Sequence, residues 1–167
     1  LNEKKNIKIL FDKLTTTNIR FDLLFIDDNS SDGSQEEIKS LAKNNQNINY
    51  IFRPKKMGVG SAHKDGFIWA YKKHYKTIIT MDADGTHDPK YLKFLIDELK
   101  NFDIVVTSRF LGKNLLEGWP LFRVWLTKLR HLTISLLLSM SYDASGAFRC
   151  INCQRVALSD LILAKND

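Results

Sequence analysis

The chain has little of what would place it in a specialised class. Its 167 residues include 2 cysteines, 3 prolines and 8 glycines, which excludes a disulfide framework, a collagen-like repeat and a proline-rich spacer. The two thiols, Cys150 and Cys153, make a single CxxC with no second pair, so they read as incidental rather than as a zinc or redox centre. Long hydrophobic runs are also missing. The longest uncharged stretch late in the chain, Leu132–Tyr142, has 11 residues, against about 20 needed to span a bilayer. The opening Leu1-Asn2-Glu3-Lys4-Lys5 lacks the apolar core of a secretory signal. The expected location is therefore cytosolic, or peripheral to the cytosolic membrane face.

What is present is an ordinary globular composition, 44% hydrophobic and 26% charged, with no repeat or low-complexity linker. At about 150 residues per domain, residues 1–167 are expected to form one domain, cut at both ends. Twenty-five Lys and Arg against 19 Asp and Glu leave a net charge of +6, which suits a phosphate-rich partner.

Apolar segments rich in β-branched and aromatic residues recur at Phe21–Ile26, Ile48–Phe52, Thr77–Met81 and Ile104–Ser108, and read as buried strands. Helical patterns lie between them. Ser34 with Glu37 has the form of a capping box, and Asp88-Pro89 opens a helix carrying Leu92, Leu95, Ile96 and Leu99. Continuous rather than alternating apolar character in the strands predicts an α/β fold, a mostly parallel sheet covered by helices on both faces. The chain opens on a helical segment, Glu3–Leu14, so the first strand of such a fold is expected to be missing. After Trp119-Pro120, the residues Leu121, Trp125, Leu129, Leu132 and Leu136 recur at helical spacing, which is read first as a helix facing the core.

The densest chemical signal is Met81-Asp82-Ala83-Asp84-Gly85-Thr86-His87-Asp88-Pro89, where a strand gives way to a loop. Ligands of open α/β sheets bind outside the carboxyl ends of strands, and Asp82 with Asp84 there suits Mg²⁺ or Mn²⁺ that also grips phosphate. The simpler alternative is a turn, with Asp88 capping the next helix. A second acidic turn, Asp27-Asp28-Asn29-Ser30-Ser31-Asp32-Gly33-Ser34, ends the earlier strand. A carboxylate there can accept from a base N–H or a ribose hydroxyl, whereas Asp32-Gly33-Ser34 resembles turn and cap material.

Between the turns, Arg53-Pro54-Lys55-Lys56-Met57-Gly58-Val59-Gly60-Ser61 is a basic loop on which phosphates can rest. It matches neither GxxxxGK[ST] nor a dinucleotide fingerprint, since His63 stands where the third glycine belongs. From Arg109 to His131, five Lys or Arg face only Glu117. Arg109 and Arg123 are candidates for gripping phosphate through paired N–H donors, while Lys128 and Arg130 are assigned to a solvated helix face. His63, His74 and His131 are assigned no chemistry.

These motifs, in this order, resemble the family 2 glycosyltransferases of GT-A fold, in particular the dolichol-phosphate mannose synthase group. Asn2-Glu3 resembles the end of that family's Tyr-Asn-Glu, Ile26–Gly33 its nucleotide-binding turn, and Asp82-Ala83-Asp84 its metal motif. Ser108-Arg109-Phe110, Gly118-Trp119 with Arg123, and Asp143–Arg149 resemble the segments of its lipid-phosphate transferases. Leu1, Thr86 and Ala147 depart from the usual pattern.

The resemblance implies roles for particular residues. Glu3 and Asp28 would contact the nucleoside, Asp82 and Asp84 the metal and diphosphate, and Arg109 and Arg123 the acceptor phosphate, with Asp84, Arg109 and Arg123 as the catalytic set. The implied activity is inverting transfer of a hexose, mannose first and glucose second, from GDP-mannose or a UDP-glucose type donor to dolichyl or polyprenyl phosphate. Such an acceptor is already anionic and needs no general base. On this reading the Pro120–Met140 helix can instead lie against a membrane. The alternatives are a family 2 transferase with a sugar hydroxyl acceptor, or a noncatalytic nucleotide-binding subunit. A nucleic-acid module is disfavoured, because no stacking-aromatic pattern accompanies the basic residues.

Overall fold

Strand and helix alternate in the computed structural model of the protein, which describes residues 1–108, 120, 122, 125–127, 129, 132, 133 and 146–163. Helix α1 (Lys4–Thr15) is followed by β1 (Leu23–Asp27), α2 (Ser34–Asn44), β2 (Ile48–Phe52), α3 (Val59–Lys72) and β3 (Thr77–Thr80). A 3₁₀ turn (Pro89–Tyr91) leads into α4 (Leu92–Glu98) and β4 (Ile104–Val106); β5 (Arg149–Asn152) and a five-residue helix, Leu158–Ile162, follow. The four expected strands all form, shifted by at most two residues at each end.

Strands β1 and β2 pair in parallel, Leu23 opposite Ile48 and Asp27 opposite Phe52. The second ladder has the order β3-β5-β4. Strand β5, which sequence patterning did not single out, lies antiparallel to both neighbours, with Cys150 opposite Ile79 on one side and Val105 on the other. Strands β3 and β4 therefore run in the same direction. Among the described residues, no strand pairs with the free edges of β1 and β3.

Amphipathic spacing decides which helix faces are buried. Ile7, Leu10 and Leu14 of α1, three and four residues apart, share one core with Phe25, Ile38, Ile48, Leu92, Leu95, Leu99, Phe148 and Cys150. Ile151 is also buried, yet outside that cluster, as expected when successive strand residues face opposite helix layers. Helix α3 comes close to β1 on that second side. A Cβ on Gly66 would stand 3.0 Å from Ile26 Cδ1, tighter than ordinary packing, so a larger residue there would need the Ile26 side chain to shift. Cys150 is fully buried and burial raises its thiol pKa to about 12, the condition of an inert core side chain.

Two local expectations are corrected. Ser34 does not cap α2: Gly33 is the N-cap residue and no side chain bonds there, because the Ser34 hydroxyl is drawn to Asp32 Oδ1 and to the Glu3 N–H. The described helical residues after Pro120 do not face the core either. Trp125, Leu129 and Leu132, expected there, are 44–59% exposed, as Phe122 and Leu126 are exposed beside them, since the main core is filled by α1, α2, α4 and the strands; Leu121 and Leu136 lie outside the described residues. Asp88, by contrast, caps the 3₁₀ turn by accepting from Lys90 N–H at 3.0 Å.

Leu95 is 1% exposed at the centre of the core. Leu95→Ala is expected to lower unfolding stability by about 3 kcal/mol, measured by urea denaturation.

Candidate functional site

The carboxyl ends of β1 and β3 carry the two acidic turns, and the chain's first residues close over one of them. The N–H groups of Asn2, Glu3 and Lys4 donate to Ser30 Oγ, Ser34 Oγ and Asp32 Oδ2 at 2.8, 3.1 and 3.0 Å, while Ser31 N–H donates to Asn2 Oδ1 at 3.0 Å. Helix α1 has no cap of its own. Its first N–H group, that of Lys4, is satisfied instead by Asp32 of the acidic turn, which sits at the positive end of the helix dipole. Glu3 is thereby fixed beside the turn, with Oε2 accepting from Asn6 Nδ2 at 2.6 Å.

Asp27 and Asp28 are adjacent but differently employed. Buried Asp27 accepts from Ser30 N–H (2.9 Å), from the Ser30 hydroxyl and from Gln35 Nε2 (2.8 Å), which ties the turn together. Asp28 reaches across to the loop after β2. Its Oδ1 accepts from Met57 N–H (2.9 Å) and lies 3.0 Å from Arg53 Nη1, and its Oδ2 accepts from Met57 and Gly58 N–H at 3.0 and 2.9 Å. Gly58 has φ 89° and ψ 158°, a conformation open essentially to glycine alone, which aims its N–H at the carboxylate.

The expectation that phosphates rest on this basic loop is corrected for Arg53, which is 4% exposed. Its Nη1 donates to Gly58 C=O at 3.1 Å and its Nη2 to the Ser61 hydroxyl. Nε lies 3.3 Å from Asp65 Oδ2, without the angle of a hydrogen bond, and is the one buried polar atom lacking an acceptor among the described residues. A buried guanidinium needs this surrounding charge, and the Met57 and Gly58 donors are spent on Asp28.

The Asp82–Asp88 turn is left more open. Asp84 Oδ1 accepts from Thr86 N–H at 3.0 Å and Thr86 Oγ1 at 2.6 Å. Burial acts to raise the Asp84 pKa, but the two Thr86 donors act against it and the net value lies below the usual carboxylate. Asp84 Oδ2 and both Asp82 oxygens accept no hydrogen bond among the described residues. No third His, Cys, Asp or Glu completes a metal cluster among those residues. Two open carboxylates fit Mg²⁺ or Mn²⁺ of the kind that fills its remaining positions with water and substrate phosphate.

Two histidines flank Asp82. His87, from the same loop, accepts the Asp82 N–H on Nδ1 at 2.8 Å and stacks on Phe148, with ring centroids 5.0 Å apart. His63 of α3 is half-buried, and its pKa is lowered first by burial and then by the Arg149 charge, with Asp82 opposing. Both escaped the sequence reading. His63 is 19 residues from Asp82 in the chain, and only the packing of α3 brings them together. His87 lay in the quoted motif, but its acceptor role has no sequence signature. Arg149 enters beside them from β5, its Nε donating to Gly146 C=O at 2.6 Å. Arg109 and Arg123 lie outside the described residues, as do Lys128, Arg130 and His131; Ser108, the residue before Arg109, follows the end of β4.

Comparison with known proteins supplies the context for this arrangement. The family model "Glycosyl transferase family 2" matches residues 1–154. The undecaprenyl-phosphate mannosyltransferase of Micrococcus luteus is 26% identical over 161 residues, covering 96% of this chain and 66% of that protein. The polyprenol monophosphomannose synthase of Mycolicibacterium smegmatis is 27% identical over 163 residues, 96% of this chain and 62% of that protein. The dolichol-phosphate mannosyltransferase of Saccharomyces cerevisiae is 31% identical over 153 residues, 88% and 56% of the two chains. The chain thus spans 56–66% of the length of these relatives.

Burial acts to raise the Asp28 pKa, but the Met57 and Gly58 N–H groups and the Arg53 charge act against it and the net value lies below the usual carboxylate range. A depressed carboxylate contributes stability that is complete above the unfolded pKa and is lost as pH falls through the folded one. Asp28→Ala is expected to cost about 3 kcal/mol near neutral pH, because it removes the more buried of the two carboxylates beside a buried guanidinium together with the acceptor of the Met57 and Gly58 N–H groups. The difference from the parent should shrink below about pH 4, read from urea unfolding across a pH series.

Proposed function

The chain belongs to glycosyl transferase family 2, and we propose that it is an inverting transferase moving mannose from GDP-mannose to a polyprenyl phosphate. The observation that carries this reading is the pair of open carboxylates, Asp82 and Asp84, at the carboxyl end of β3, where a diphosphate with its cation can be received. The relatives, each named for a lipid-phosphate acceptor and mannose, point to the acceptor and the sugar.

The reaction follows from the chemistry of the acceptor. A phosphate oxygen of the lipid, ionised at neutral pH, attacks the anomeric carbon; the bond from that carbon to the diphosphate breaks, the nucleoside diphosphate departs, and the configuration inverts. No proton has to be removed from the nucleophile, so the protein's task is alignment and charge stabilisation. Asp82 and Asp84 would hold Mg²⁺ or Mn²⁺, which supplies positive charge to the leaving diphosphate. Glu3, and Asp28 through the loop it anchors, face the nucleoside side. Arg109 and Arg123 would draw in the acceptor phosphate through paired N–H donors. The charges of Arg149 and Asp82 both act on the half-buried His63, in opposite directions.

Membrane contact belongs to the same proposal. Among the described residues no helix is long and apolar enough to cross a membrane. Phe122, Trp125, Leu126, Leu129 and Leu132 nevertheless expose one helical stripe, in a segment where basic residues outnumber acidic ones, the combination that lies in an anionic lipid interface.

Thermal-shift titration with GDP and UDP, each with and without Mn²⁺, tests the donor site. Stabilisation by GDP that needs Mn²⁺ and is lost in Asp84→Ala is expected. A response to UDP alone changes the donor, and no response from the folded chain removes the donor-site assignment. Transfer from GDP-mannose to polyprenyl phosphate, absent with sugar hydroxyl acceptors, then separates the two transferase readings. For the membrane face, Trp125→Glu with Leu129→Glu should weaken sedimentation with phosphatidylglycerol vesicles by about tenfold or more while leaving GDP stabilisation intact.

A further inference from the structure

We propose that His87 is a positioning residue of the donor site, which orders the Asp82–Asp84 loop for a divalent cation by holding the Asp82 backbone and docking on Phe148. The inference rests on the reading of Asp82 and Asp84 as the cation and diphosphate residues.

The bond from Asp82 N–H to His87 Nδ1, 2.8 Å long, closes residues 82–87 into a ring whose first residue is a candidate ligand. Only an unprotonated nitrogen can accept that N–H, so the neutral ring carries its hydrogen on Nε2. Nε2 lies 3.9 Å from Asp82 Oδ2, beyond hydrogen-bond reach. The grip on Asp82 is therefore through the main chain, and the carboxylate stays available, with 43% of the side chain exposed.

The other side of the imidazole is anchored. It stacks at 20° on Phe148, itself 2% exposed. The Phe148 carbonyl accepts from Thr107 N–H at 3.1 Å and from Thr107 Oγ1 at 3.3 Å, and the neighbouring Ala147 carbonyl accepts from Thr80 Oγ1 at 2.6 Å. His87 thus joins the acidic loop to the point where β5 is bonded to the ends of both β3 and β4. Thr107 follows β4 directly, so the acidic loop and the end of β4 are referred to one fixed ring. A loop ordered beforehand spares cation binding the cost of ordering it, as groups behind metal ligands do elsewhere.

Two substitutions separate this role from bulk packing. His87→Ala removes both ring and acceptor, whereas His87→Asn places an amide oxygen where Nδ1 stands. Mn²⁺ affinity in the presence of GDP, GDP affinity without metal, and hydrogen exchange of the Asp82 amide are measured on the full chain and both variants. Expected for His87→Ala is a loss of about 10- to 100-fold in Mn²⁺ affinity, unchanged metal-free GDP binding and faster Asp82 amide exchange; His87→Asn recovers most of the affinity and the protection. Parent-like Mn²⁺ affinity in His87→Ala, or His87→Asn as impaired as His87→Ala, overturns the proposal. A parent chain with no Mn²⁺-dependent GDP binding overturns the donor-site reading instead. In that case protection lost in His87→Ala and kept in His87→Asn still supports the hold on the loop, and unchanged exchange refutes it.

Discussion

The antiparallel insertion of β5 between β3 and β4 is the constraint on which the rest of the molecule depends. Cys150 has no exposed surface and pairs across to Ile79 and Val105, so two strands distant in sequence are spaced by a third that arrives near the end. The strand brings Arg149 to the site and puts Phe148 under His87. Its edges also receive Thr80 and Thr107, the last residues before the acidic loop and before the segment leading to Arg109. One strand thereby fixes the ends of β3 and β4, the first of which leads to the groups proposed to hold the donor diphosphate.

The opposite half of the site is organised by charge rather than by a sheet. Arg53 is buried beneath the loop after β2, and Asp28 answers it while gathering Met57 and Gly58 N–H groups. The neighbouring carboxylates are spent in comparable ways, Asp27 on its own turn and Asp32 on Ser34 and the first N–H of α1. Strand ends crowd backbone donors together, and carboxylates are the natural acceptors for them. The sites left open, on Asp82 and Asp84, are then distinguished from the rest by having hydrogen-bonding capacity to spare.

Much of this was legible without coordinates. Continuous apolar segments located four strands to within two residues, and the order of the Asp27–Gly33, Asp82–Asp84 and Ser108-Arg109 motifs pointed to family 2, to which the chain belongs. The errors have a common cause. Ser34 looked like a cap and was recruited by Asp32 and Glu3; the Arg53–Ser61 loop looked like a rest for phosphates, and its arginine is buried against Asp28. The helix after Pro120 carried a core-like pattern and was left at the surface. In each case the folded surroundings, Glu3 and Asp32 for Ser34, Asp28 for Arg53 and an already filled core for the residues after Pro120, decided between two uses of the same side chain.

The sequence by itself determined four of the five strands, the helices between them and which residue types stand at those strand ends, because periodicity and turn chemistry act over a few neighbouring residues. Only the tertiary structure decided which of those residues are consumed. A carboxylate's hydrogen-bonding capacity is limited, and whether it is filled depends on donors that folding delivers from 28 to 30 residues away, as for Asp32 and Asp28. The same holds for His63 and His87, whose places beside Asp82 were set by the docking of α3 and by a phenylalanine 61 residues further along the chain from His87.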